Sequence, residues 1–150
     1  MHALKVPTTR AVRQLQPHLR ELRARVRFWC IAPEERLPSG YEARSLERTL
    51  RQIALTARAV GWNGYASICL RVLERLEPAL RSGAVPRSSL EHLWCWTDAS
   101  IQYLENPAEF ARALDLTDLL AASHGEGGCS EIERHVLLSE LLCEVDSPQL

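Results

Sequence analysis

Five histidines, five cysteines and nineteen carboxylates are the groups with which this chain could bind a metal or move protons. Their spacing does not gather them. His2, His18, His92, His124 and His135 each lack a second His at i+3 or i+4. Cys30, Cys69, Cys95, Cys129 and Cys143 form no C-x-x-C pair. In a reducing compartment they read as buried small hydrophobes, with a zinc site assembled from scattered Cys and His as the alternative. No H-E-x-x-H, G-x-S-x-G, G-x-x-x-x-G-K-[ST] or G-x-G-x-x-G occurs. The carboxylates are spread along polar stretches, so no general acid/base pair can be named. The expectation is a protein without catalytic residues, metal or cofactor.

Arginine is the more telling residue. Every basic side chain except Lys5 is Arg. Residues 1–58 hold twelve cations against five Glu, net +7, and residues 59–150 hold six against fourteen acids, net −8. In the first helical segment Arg10, Arg13, Arg20 and Arg27 recur at 3- and 7-residue steps, with Arg23 beside them. Such a face can hold an anion, either nucleic acid or an acidic protein. It can equally be a solvated face, or be drawn to the acidic half of the same chain. The near-neutral total and the lack of a recognised binding motif weigh against nucleic acid.

The elements that would position these groups are all helical. Val12, Leu15, Leu19, Leu22, Val26 and Trp29 repeat at 3 and 4, predicting a helix over 8–30 that Pro17 should kink or split. Ser39 and Glu42 form a capping-box pattern before the stripe Leu46, Leu50, Ile53, Ala57 and Val60. Gly61 should stop that helix, with a turn at Asn63-Gly64. A third helix is expected from about Tyr65 to Arg81, carrying Cys69, Leu73, Leu76 and Leu80. Ser88 and Glu91 should cap a fourth, containing Leu90, Leu93, Ile101 and Leu104. Asn106-Pro107-Ala108-Glu109 reads as N-cap, first-turn Pro and third-position Glu of a fifth. His124–Gly128 reads as a loop. Ser130 and Glu133 should cap a last helix over 130–144, before a frayed tail. Trp94 and Trp96 project about 160° apart on their helix, so one is exposed or the helix is covered on both sides.

The 150 residues suit one domain, 46% hydrophobic and 25% charged. No segment alternates like a strand. No apolar run reaches the ~20 residues of a membrane span, and residues 1–10 lack a signal peptide's apolar stretch, so a cytoplasmic protein is expected. Short connections predict antiparallel neighbours, giving an all-α, up-and-down helical bundle with additional terminal helices.

Residues Leu46 to Pro107 resemble a histidine phosphotransfer (Hpt) domain. Val60-Gly61-Trp62 is similar to that family's inter-helix turn, and Ile68 to Glu74 to its second helix. Counting ten back from Gly61, the position of the phospho-accepting His falls on Arg51. The Lys and Gly of the family's H-x-x-K-G motif fall on Ala54 and Leu55. Trp96 with Tyr103-Leu104-Glu105-Asn106-Pro107 resembles the degenerate Hpt-like domains of pilus-chemotaxis sensor kinases and of a related stand-alone twitching-motility regulator. The resemblance implies a four-helix core over about 41–122. It also implies loss of phosphotransfer, since a guanidinium stays protonated and is not nucleophilic. The implied role is a non-catalytic binding or scaffold module of bacterial signalling. Its docking surface would lie around Glu47, Arg48, Arg51 and Arg58, and its partner would be a response-regulator receiver or a pilus-signalling protein. The second function class is an anion-binding adaptor using Arg13, Arg20, Arg23 and Arg27.

Overall fold

The computed structural model describes residues 2–121 and 130–146, with side chains over 10–120 and 130–142. It is an all-α helical bundle: α1 His2–Ile31, α2 Tyr41–Ala59, α3 Asn63–Ser82, α4 Arg87–Glu105, α5 Phe110–Ala121 and α6 Glu131–Asp146. No strand occurs among the described residues. None of the described helices is long and apolar enough to cross a membrane.

The first four helices bury the stripes their periodicity announces, whereas Phe110 of α5 and Ile132 and Val136 of α6 are exposed. Leu15, Leu19, Leu22, Val26 and Trp29 of α1 are buried together with Leu46, Leu50, Ile53 and Ala57 of α2. One contiguous core takes residues from all six helices. The helices close into a ring in the order α1, α2, α3, α6, α5, α4. α1 is therefore a wall of the bundle as much as an addition to the 41–122 span.

Consecutive helices are neighbours in this ring except α3 and α4. These two share a short connection yet stand apart, and large aromatic rings fill the gap. Tyr65 stacks on Trp96 with centroids 6.3 Å apart and on Tyr103 at 6.1 Å, while Trp62 meets Tyr103 edge-on at 5.7 Å. Rings of this size impose a wider spacing than Leu and Ala do. Trp96 is 1% exposed, and Trp94, on the other side of α4, is half-buried beside Leu119 of α5. The helix is thus covered on both sides.

Several sequence expectations are corrected at the helix ends. Pro17 does not split α1, which runs unbroken from His2 rather than Thr8. The buried stripe on both sides of Pro17 outweighs one missing hydrogen bond. Ser39 does not cap α2; the N-cap is Gly40, without a side-chain bond. The connection is held instead by backbone: the Gly40 amide donates to the Gly83 carbonyl at 3.2 Å, and the Val85 amide to the Pro38 carbonyl at 3.3 Å. Gly83 ends α3 with a φ of 79°, a value that costs a Cβ-bearing residue strain. Pro86, not Ser88, precedes α4. Asn63-Gly64 opens α3; the turn is at Gly61, with φ 86°. Asn106 closes α4, and α5 begins only at Phe110, so Pro107 lies in the connection. The loop expected at His124–Gly128 lies outside the described residues.

One helix end is capped from a distant element and another by its own sequence. Arg87 donates to the carbonyls of Cys30 and Ala32, satisfying acceptors left open at the end of α1. The Ser130 cap does form: its hydroxyl accepts the Glu133 amide at 3.1 Å. The Glu133 carboxylate also pairs with Arg71 of α3. Arg71, then Ser130, holds the Glu133 carboxyl below its ordinary value of 4.5. A carboxyl depressed in the folded state stabilises the fold above its unfolded value, and that contribution disappears as pH falls through the folded value. Acidification below about pH 4.5 should therefore loosen α6 from α3. Amide exchange followed by NMR should show α6 losing protection before α2, and Glu133→Gln should abolish the pH dependence of that difference.

Candidate docking face

The two residue sets singled out in the sequence meet different fates. On α1, Arg23 turns inward to pair with Asp98 of α4 at 3.2 Å, which leaves it poorly placed for an external anion. The intramolecular attraction between basic and acidic halves thus accounts for this residue. Arg25 also turns inward, donating to Ser45 at 2.9 Å and Thr49 at 3.3 Å while lying over Trp29. Arg13, Arg20 and Arg27 remain exposed along the outer face of α1.

On α2, Arg48, Arg51 and Arg58 are exposed and Glu47 is half-buried. They belong to a longer feature. Tyr41, Arg44, Arg48, Arg51, Leu55 and Arg58 recur at steps of 3, 4, 3, 4 and 3, and all six are exposed. Tyr41 is 69% exposed and Leu55 55%. At 1.5 Å per residue the stripe runs about 26 Å along the helix. It is the outward counterpart of the buried stripe containing Leu46 and Leu50. Sequence reasoning missed Tyr41, Arg44 and Leu55, although the same 3/4 spacing would have found them.

Charge along the stripe is partly tethered. Arg51 pairs with Glu47 at 2.8 Å and reaches Glu77 of α3 at 3.9 Å; Arg81 also approaches Glu77 at 3.5 Å. Exposed pairs of this kind contribute little stability, about 0–1 kcal/mol. Their effect is to hold the Arg51 side chain against the α2–α3 edge. Arg48 lies over the Tyr41 ring, 5.7 Å from its centroid. Arg44 and Arg58 have no ion pair among the described residues. The result is a ridge of fixed and free guanidinium groups interrupted by an apolar side chain. Such a ridge suits an acidic protein surface with an apolar centre.

Positions 51, 54 and 55, where the resemblance would place a phosphotransfer motif, are filled as follows. Arg51 and Leu55 face outward and Ala54 is buried at 4% exposure. His92 and His135 are exposed, on α4 and α6. Burial pushes the Cys30 thiol up, helped by the Glu91 carboxylate, which is the reverse of what an activated nucleophile needs. Tyr65 is raised well above its ordinary value by burial. No cluster of three or more potential metal ligands occurs among the described residues. A pocket between α3, α4 and α5, lined by Val72, Leu76, Leu93 and Trp96, has a volume of about 30 Å³, room for a water or two.

No family model, no curated protein and no solved structure matches this chain.

Proposed function

We propose that this protein is a non-catalytic binding module whose outer α2 ridge holds a protein partner, and that the partner is a response-regulator receiver. The observation that carries the docking role is the exposed stripe from Tyr41 to Arg58, with Leu55 set among arginines. Four arginines on one helix face present a continuous basic stripe, and Leu55 gives that stripe an exposed apolar side chain to bury against a partner. The receiver follows from the resemblance to Hpt domains. The exposed position of Arg51 mid-way along α2 and the turn at Gly61 support it. With Arg at position 51 such a module would bind a receiver without taking its phosphoryl group.

Titration of purified receiver domains, followed by NMR of this protein, tests the reading. Shifts should concentrate on α2, Leu55→Asp should weaken binding about tenfold or more, and a phosphorylated receiver should leave no label on this chain. Absence of binding by any receiver, or label appearing on His92 or His135, would overturn it.

A second reading rests on Arg13, Arg20 and Arg27, exposed at 7-residue steps on α1. An anion-binding face there should hold duplex DNA at low salt, with affinity falling linearly in log salt. No retention at low salt removes it.

A further inference from the structure

The α2 ridge has a complement on the same molecule. α3 lies between α2 and α6, and a groove of about 350 Å³ runs along the α3–α6 junction. Its apolar lining includes Leu70, Ile132 and Val136; Glu74 and Glu140 stand at its rim. Ile132 is 78% exposed and Val136 52%, one helical turn apart, an arrangement shared among the described residues with Phe28 and Ile31 at the end of α1. α6 carries five acidic residues and only Arg134 as a cation. The ridge is convex and basic, with Leu55 towards its C-terminal end; the groove is concave, apolar at Leu70, Ile132 and Val136, and net acidic through Glu74, Glu133 and Glu140 against Arg71.

We propose that, when no receiver occupies the ridge, these two surfaces pair with a second copy of this chain, with α2 of each copy seated in the α3–α6 groove of the other. The proposal rests on reading α2 as a docking ridge and names a second occupant that competes with the receiver for it. Ridge and groove flank α3 on its two sides. A two-fold axis over α3 therefore satisfies both contacts at once and closes the assembly as a dimer, the commonest symmetry of soluble oligomers. Opposite charge sets the register of the pair, and burial of Leu55 against Ile132 and Val136 supplies the apolar gain. Arg48 and Arg58 would meet Glu74 and Glu140 of the other copy.

Sedimentation equilibrium over a wide concentration range, in low and in high salt, tests this with two charge-reversed proteins. One carries Arg48→Glu with Arg58→Glu; the other carries Glu74→Lys with Glu140→Lys. All four positions are on the surface, and thermal melts establish that both proteins fold. The unaltered protein should dimerise and weaken about tenfold in high salt. Each reversed protein should be monomeric alone, because the facing residues of ridge and groove now carry the same sign. An equimolar mixture should restore a 1:1 dimer, which no loss of folding can imitate. A monomeric unaltered protein, a reversed protein that still dimerises as tightly, or a mixture that stays monomeric would each overturn the pairing. If the protein is monomeric yet still binds a receiver through Leu55, self-pairing alone fails; if neither binding occurs, the docking role of the ridge fails with it.

Discussion

Trp96→Ala should destabilise the protein by about 3–5 kcal/mol, the range for losing a fully buried large side chain. The effect is large because of where the ring sits. Trp96 is 1% exposed and stacks on Tyr65, which stacks in turn on Tyr103. These rings keep α3 and α4 apart, so the helices cannot simply close over the missing indole. The new void would merge with the small pocket beside Val72, Leu76 and Leu93. For a chain of this length the loss corresponds to a drop in melting temperature of roughly 10 °C. Trp96→Phe should cost far less. It keeps a ring in the stack and removes an indole N–H that has no hydrogen-bond partner among the described residues. Trp94→Ala, at the half-buried edge of α4, should cost no more than about 2 kcal/mol. Urea unfolding followed by far-ultraviolet circular dichroism compares the three. If Trp96→Ala proves no more costly than Trp94→Ala, the stack is not what spaces α3 from α4.

A chain beginning at Pro38, and so lacking α1, should fail to fold cooperatively. Ala11, Leu15, Leu19, Leu22, Val26 and Trp29 are all buried against the rest of the bundle. Each large apolar side chain contributes about 1.5–3 kcal/mol on burial, and a domain's whole stability is about 5–15 kcal/mol. Losing α1 also exposes the faces of α2 and α4 that it covers, and removes the Arg23–Asp98 pair and the carbonyls that Arg87 satisfies. The expected product keeps some helical signal but gives a broad melt, no near-ultraviolet circular dichroism and collapsed amide dispersion by NMR. A sharp melt with native-like dispersion would show that the 41–122 span resembling an Hpt core is self-sufficient and that α1 is dispensable.

The polar surface divides in a way that residue type alone does not reveal. Arg23 and Arg27 are one helical turn apart on α1. Arg23 is bound to Asp98 while Arg27 is exposed. On α2, Arg51 is tied to two carboxylates and Arg58 has no ion pair among the described residues. The Arg23–Asp98 and Arg51–Glu77 pairings join positions 75 and 26 residues apart, which no local pattern encodes.

What the sequence determines by itself is the helical class and the inward face of most helices. Burial selects one side of a 3.6-residue period, so the spacing of Leu46, Leu50 and Ile53, or of Leu15, Leu19 and Leu22, carries that face in a short window. It also carries the stop at Gly61, where φ must be positive, and the Ser130 cap, which spans three residues. Pro17 does not break α1, and Ser39 and Ser88 do not cap, because local preferences of about 1–3 kcal/mol yield to packing made elsewhere. Only the tertiary structure decides the ring order of the helices, the separation of α3 from α4 by aromatic stacking, and the inward turn of Arg23. It also decides the setting of a basic ridge and an acidic groove on the two sides of α3. Each of these depends on contacts between distant residues, whose energies exist only once the helices have met.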